Sequence, residues 1–324
     1  MRMWQPERAA HGPNAATEKD IPGLNRLFAD AFTDRYRRDG LVGVRVPFLN
    51  AAIWRYAIAD AGEGAMLWRD ESDRVVAFNI AHKSGAEGWM GPLAVRPDRQ
   101  LAGLGKEIVV AAADWLKGQG VKTLGLETMP RTVDNIGFYS RLGFVPGHLT
   151  LTMTREVQRA QHDGPAYEVL SALETRERTA RLEEIGRLVG SLAPGFDFSR
   201  EIQLTLDLAL GNVVAVREDG RLLGFALCHS APLAESGTRD ELRVLKIAAT
   251  SAERLLTVLE AAASWAASQN IRRIAVRCQT ASSEAYRALI ECGWRVRWSD
   301  LRMTMVGYAE PQPRAGILWS NWEI

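Results

Sequence analysis

The chain has 324 residues, 47% hydrophobic and 24% charged, with 40 Lys+Arg against 39 Asp+Glu and a net charge of +1. The length suggests two domains, and the composition is that of a chain able to bury cores, which excludes disordered, collagen-like and disulfide-held classes. Near-neutrality argues against partners held by bulk charge, so neither nucleic acid nor an anionic membrane face is expected.

The first predicted element is a helix over IPGLNRLFADAF, where Leu24, Leu27, Phe28 and Phe32 fall on one face. A second helix is expected over about 49–59. AMLWRDE and RVVAFNIAH read as strands joined by a turn at Ser72-Asp73, and EGWMGPLAVRP as a third strand ended by Pro97. LGKEIVVAAADWLKGQG is a helix closed by Gly118 and Gly120. KTLGLET is then a strand, VDNIGFYSRLG a short helix and HLTLTMTRE a last strand.

Shifted by 150 residues, the chain aligns with itself. Ala111–Ala113 fall on Ala261–Ala263, Trp115 on Trp265, and Val121, Leu124 and Leu126 on Ile271, Ile274 and Val276. Leu151, Met153 and Thr154 fall on Leu301, Met303 and Thr304; at a shift of 147, Phe78, Ile80 and His82 meet Phe225, Leu227 and His229. The chain is two copies of one mixed α/β unit, with the boundary expected at Gln158–Pro165. The units are residues 1–157 and 165–310, followed by a tail strand at 311–324. Its ILWSNWEI pattern is expected to pair with a sheet edge, that of the first copy being one option.

Between the third strand and its helix lies RPDRQLAGLGKE. Gly103 and Gly105 at a helix mouth expose consecutive amides at the positive end of the dipole, an anion site suited to pyrophosphate. It is neither a Walker loop nor GxGxxG. Gln100, Gly103 and Gly105, after a strand ending LAV-x-P, together with FY-x-x-x-GF at Phe138-Tyr139, resemble the signature of the GNAT N-acyltransferase superfamily. The resemblance covers about residues 15–155 at motif level. It implies an α/β fold with a mostly antiparallel mixed sheet in each of two tandem domains, and a central strand pair splayed by a bulge at Gly91-Pro92.

Carried over, Leu93, Ala94 and Val95 would line the pantetheine through main-chain bonds. Gln100, Leu101, Ala102, Gly103, Leu104, Gly105 and Lys106 would form the pyrophosphate cradle. Tyr139 matches the general acid that protonates the departing thiolate. Glu127, twelve residues earlier, matches a proposed base in ribosomal-protein acetyltransferases, with Glu87 as rival. Asn135 reads either as a cofactor contact or as a helix cap. The matched His82 and His229 read as packing. RYRR, Arg35–Arg38, is expected in a loop, as a solvated basic patch or an attraction for an anionic acceptor.

The second copy diverges where chemistry would be. Gly103 and Gly105 become Glu253 and Leu255, Glu127 becomes Arg277, Asn135 becomes Ala285 and Tyr139 becomes Leu289. It is expected to keep the fold without the cofactor, and to wall the acceptor cleft, support the first copy or dimerise. The expected function is an N-acetyltransferase moving acetyl from acetyl-CoA directly to a primary amine of a small molecule or peptide; the alternative is a non-catalytic acyl-CoA sensor or interaction module. No metal is expected, since Cys228, Cys278 and Cys292 lack metal spacing and read as buried free thiols of a cytoplasmic protein. Met1–Asn14 has no apolar run and does not read as a signal peptide, and no stretch approaches the roughly 18 apolar residues of a membrane span.

Overall fold

The computed structural model describes residues 10–158, 164–313 and 315–322. Residues 159–163 of the expected boundary, and the N-terminus through residue 9, lie outside the described residues. The first half runs β1 (His11–Ala15), α1 (Ile21–Arg38), α2 (Ala51–Ala61), β2 (Ala65–Arg69), β3 (Val75–Ser84), β4 (Glu87–Val95), α3 (Leu104–Gly118), β5 (Thr123–Thr128), α4 (Val133–Arg141) and β6 (Phe144–Glu156). The second runs β7 (Glu168–Val169), α5 (Thr175–Leu192), α6 (Ser199–Asp207), β8 (Gly211–Glu218), β9 (Arg221–His229), β10 (Glu241–Ala249), α7 (Ala252–Ser268), β11 (Arg273–Gln279), α8 (Ser283–Glu291), β12 (Arg295–Met305) and β13 (Ile317–Ser320). Among the described residues no helix is long and apolar enough to cross a membrane.

Local chemistry accounts for most of these elements. Asn50 caps α2 by accepting from the Ala52 amide, and Ser251 caps α7 by accepting from the Arg254 amide. α3 buries Leu104, Ile108, Val109, Ala112, Ala113 and Leu116 against the sheet; the alanines of that stripe leave room for close helix–strand approach. β1, fully exposed and without apolar alternation, gives no strand signal and is held by pairing with β2.

The strands form one sheet in the order β1-β2-β3-β4-β5-β12-β6-β11-β10-β9-β8-β7, with β13 on β10. This order is symmetric about the β12–β6 pair, so a pseudo-twofold axis relates the copies. Thr150 and Asp300, equivalent in the repeat, are register partners at that pair. The last strands are exchanged: β12 of the second half pairs with β5 of the first, and β6 pairs with β11.

Charge explains why the exchange is preferred. In the observed register Glu127 lies opposite Arg302, and Arg277 opposite Thr152. Since Thr152 and Arg302 are equivalent positions, returning each strand to its own half would set Arg277 opposite Arg302 and Glu127 opposite Thr152. Like charges directly opposite are destabilising and opposite charges favourable, each by roughly 0.2–1 kcal/mol. The cross-copy pairing satisfies both.

The C-terminal strand departs from expectation. β13 pairs antiparallel with the second-half strand β10, Ile317–Ser320 against Ala249–Lys246, rather than with an outer edge of the first copy. Parallel β10–β11 pairing stops at Val244, so β13 occupies the gap that opens beyond it.

The exchange predicts that a chain cleaved within 158–165 stays as one complex on native size-exclusion chromatography, while either half expressed alone aggregates. A monomeric first half that unfolds cooperatively by itself would contradict this.

Candidate active site

β4 makes parallel pairs with β5 only from Glu87–Met90 to Thr123–Leu126. Beyond that, three residues of β4 (Met90 to Leu93) advance against two of β3 (Ala81 to Asn79), which is the bulge at Gly91-Pro92. The extra residue turns β4 away from β5. Leu93, Ala94 and Val95 stay paired to β3 but, among the described residues, have no strand on their other side, leaving a free main-chain edge. Past Val95 the chain turns through Leu101 (φ 68°) and Gly103 (φ 89°) into α3. No main-chain carbonyl among the described residues accepts from the amides of Leu101 to Gly105, so these donors stand at the positive helix end. The Gln100 side chain donates to the Val95 carbonyl (3.1 Å) and accepts from Arg38 (3.1 Å), tying this loop to β4 and α1. A Cβ on Gly103 would meet nothing within 4 Å, so its requirement is the left-handed φ and the space kept open above it.

Tyr139 projects from α4 into the same core layer as Leu104 and Leu126 and is 6% exposed. No described side chain hydrogen-bonds its hydroxyl, and burial raises its pKa above the ordinary tyrosine value. It is therefore protonated across the neutral range, the form that donates. Asn135 does not cap α4: Thr132 holds that position, and the half-buried Asn135 side chain makes no hydrogen bond to a described residue.

On the other side of the bulge lies a cavity of about 430 Å³ between the halves. Gly91, Pro92 and His82 line it from the first half; Trp298, Arg277 and Trp322 line it from the second. Glu127 and Arg302 complete its floor. Arg302 donates to Glu127 (2.7 Å), forms a bidentate pair with Glu310 (2.7 and 3.0 Å) and lies 3.8 Å over the Trp89 ring. Arg277 bridges Glu127 and Asp300. Among the described residues no group of three or more His, Cys, Asp or Glu converges as a metal site.

Residues 25–144 match the model of the acetyltransferase (GNAT) family. That match lies within the first half of this chain. No curated protein matches the sequence. The whole chain is similar in fold to a GCN5-related N-acetyltransferase from Sphaerobacter thermophilus, at 16% identity and TM-score 0.62, covering 98% of this chain and 99% of that one. It is also similar to Saccharomyces cerevisiae N-myristoyltransferase with bound myristoyl-CoA, at 11% identity and TM-score 0.63, covering 96% and 81%. A tandem GNAT protein of the clavulanic acid biosynthesis pathway matches at 12% identity and TM-score 0.59, covering 94% and 100%. At these identities the likeness is one of fold, and the fold is that of a tandem GNAT protein.

Within this tandem GNAT fold the two splays have different fates. The first leaves Leu93–Val95 open; the equivalent Ile247–Ala249 are paired with Trp319, Leu318 and Ile317 of β13. Leu255, at the place of Gly105, is buried in the second core. The second cleft is thus filled by the chain's own tail, a cause that adds to the Glu253 charge.

Several sequence expectations need correction. The Glu127 carboxylate is not poised as a base. Burial alone would raise its pKa, but Arg277, Arg302 and the Thr150 hydroxyl (2.5 Å) more than offset that and hold it below the usual glutamate value. Glu87 is fully buried beneath Trp89 (2.8 Å) and Ser320 (2.6 Å), and it does not line the cavity. RYRR is not a loop: it ends α1, where Arg35 is paired with Asp39, and Arg37 and Arg38 with Asp34; only Tyr36 reaches the cavity. Cys228 and Cys278 are buried, but Cys292 is exposed. His82 and His229 share a strand position and little else. His229 Nε2 lies 2.9 Å from the Thr205 hydroxyl, whereas His82 Nδ1 lies 2.7 Å from Asp60, and His82 lines the cavity.

Two outcomes follow. Calorimetry with acetyl-CoA should show one site per chain, and Gly103→Glu should abolish it without revealing a second; two sites in the wild type would contradict the filled second cleft. Glu127→Gln should cost about 2 kcal/mol near pH 7, below the ~3–5 kcal/mol of a fully buried pair because the carboxylate borders the cavity. Its depressed pKa means the stabilisation is present above the unfolded-state value and is lost as pH falls through the folded one. Urea titrations should therefore show the wild-type advantage shrinking toward acid.

Proposed function

We propose that the chain is an acetyl-CoA-dependent N-acetyltransferase acting on a primary amine. Acyl transfer from an acyl-CoA is the chemistry of this family and fold; acetyl as the group and amine as the acceptor are the proposal. The observation that carries it is the single free β4 edge, Leu93–Val95, continuing into unpartnered amides at 101–105 on one side and opening onto the inter-half cavity at Gly91-Pro92 on the other. A CoA-sized co-substrate fits that edge through main-chain bonds and pyrophosphate contacts. Its thioester end would then reach the cavity, where an acceptor can meet it.

The cavity walls favour a cationic acceptor. Tyr36 and Trp298 line the cavity, and aromatic rings attract cations through their quadrupoles; Trp89 and Trp322 line it too, but Arg302 and Lys246 already lie over their rings. Asp300 adds a carboxylate whose pKa is raised by burial against the pull of Arg277. Direct attack needs no covalent intermediate, and the first copy has no cysteine to carry one. Leu93–Val95 amides not used by β3 can stabilise the developing oxyanion, and Tyr139 protonates the departing thiolate.

CoA release from acetyl-CoA with a panel of benzylamine, tyramine, spermidine, glucosamine and a free N-terminal peptide tests the reading. Binding of acetyl-CoA without release by any of them would favour the sensor reading. With an active amine, Tyr139→Phe should lower kcat by about 10²-fold at neutral pH, the lower range for general acid help, with acetyl-CoA affinity nearly unchanged. Near wild-type turnover would remove Tyr139 from the mechanism.

A further inference from the structure

His82 is 2% exposed and sits near the end of β3, opposite Trp89 and beside the bulge of β4. Its Nδ1 lies 2.7 Å from Oδ2 of Asp60, which is 3% exposed on α2. A carboxylate only accepts, so Nδ1 carries a proton, and in the neutral imidazole it is Nε2 that presents the lone pair. That Nε2 is buried and has no hydrogen-bond partner among the described residues. Leaving such an atom unpaired costs free energy and needs a reason. The ring lines the inter-half cavity together with Gly91 and Pro92, where the free β4 edge begins. The Trp322 ring, 5.7 Å away and inclined by 24°, stacks on it and limits its rotation.

We propose that His82, oriented by Asp60, is the general base that takes the proton from the acceptor ammonium. This rests on the amine-acetyltransferase reading above. The ammonium N–H bond breaks, its proton goes to Nε2, and the freed nitrogen pair forms the C–N bond to the thioester carbonyl. The C–S bond then breaks and the sulfur leaves with its electron pair, taking the Tyr139 hydroxyl proton. The second proton of the new amide nitrogen restores Tyr139, and the imidazolium proton passes to solvent. One proton is released per turnover, and no other reactant is needed.

The surrounding charges suit this role. Glu201 on α6 bonds to Ser84, two residues along the same face of β3. Lys246 on β10 lies 3.5 Å over Trp322 and 3.5 Å from Glu201, with its charge balanced there. Glu87 on β4 is held by Trp89 and Ser320, and Arg302 on β12 is engaged by Glu127 and Glu310. Among these groups only Asp60 touches the imidazole, so only Asp60 is available to fix its tautomer. His229 shows that the repeat position alone does not create the arrangement. It contacts Thr205 and packs edge-on against Tyr56, and it lies outside the cavity lining.

The test uses the full chain with acetyl-CoA and benzylamine, or whichever amine of the panel above is turned over. His82→Gln should lower kcat about 10²–10³-fold at pH 7, a range typical of a lost general base, with acetyl-CoA affinity unchanged by calorimetry. The deficit should shrink as pH approaches the amine's own pKa, where no base is needed; a purely structural role would not follow the amine. Asp60→Asn, which keeps the side-chain volume, should lower kcat by less than His82→Gln does, with acetyl-CoA affinity again unchanged. It also serves as the deciding variant if His82→Gln does not fold. Wild-type-like kcat and pH profiles, or a rise in KM alone, would overturn the base role while leaving the acetyltransferase reading intact. A wild type inert toward every amine would overturn that reading and the base role with it.

Discussion

The pairing of Glu127 with Arg302 across exchanged strands is the constraint on which the rest of the molecule turns. It is an ion pair between a strand of one half and a strand of the other, and it exists only because β12 inserts beside β5. Once that register is set, Arg302 lies over Trp89, Arg277 reaches Glu127, and the two bulged strands face each other across one cavity. A buried pair of this kind adds modest net stability, because desolvation offsets much of the attraction. Its larger effect is on specificity, by separating two pairings that the repeated apolar pattern leaves nearly equal.

The second copy then has a clear physical role. It supplies a wall of the inter-half cavity and a strand of the first half's sheet, and it gives up its own cleft to β13. The tail locks this state chemically as well as sterically. Ser320 accepts from Lys246 (2.8 Å) and donates to Glu87 (2.6 Å), linking β10 of one half to β4 of the other through a hydroxyl on β13. Trp322 follows, with Lys246 over its ring and His82 stacked on it. The same short segment therefore closes the second splay and forms part of the first half's cavity wall.

The division of labour between the two sides of β4 follows from one inserted residue. At Gly91-Pro92 the extra residue ends the parallel ladder with β5. On one side this frees main-chain donors and acceptors; on the other lies the cavity that His82 lines. Tyr139, its pKa raised by burial, packs in the core layer with Leu104 and Leu126, and His82 lines the cavity. In the proposed reaction these two would serve as acid and base on opposite sides of the reacting bond, as direct aminolysis needs.

Much of this was legible in the sequence. Periodicity placed the helices and the long strands, self-alignment found the two copies, and Gln100, Gly103 and Gly105 marked the amide cradle, because each depends on residues close together in the chain. The Gly91-Pro92 bulge followed from the family resemblance. The strand exchange did not follow, since LTMT of β6 and LRMT of β12 fit either neighbour by hydropathy, and only the opposition of Glu127, Arg302 and Arg277 across the sheet decides between them. For the same reason Glu127 read as a free base until two arginines from the other half appeared beside it. His82 read as packing because its significance lies in Asp60, 22 residues away on a helix, and in a cavity formed by both halves. Sequence determined the units and their local chemistry; tertiary structure decided which charges meet, because long-range pairing among repeated strands is set by contacts that no local pattern records.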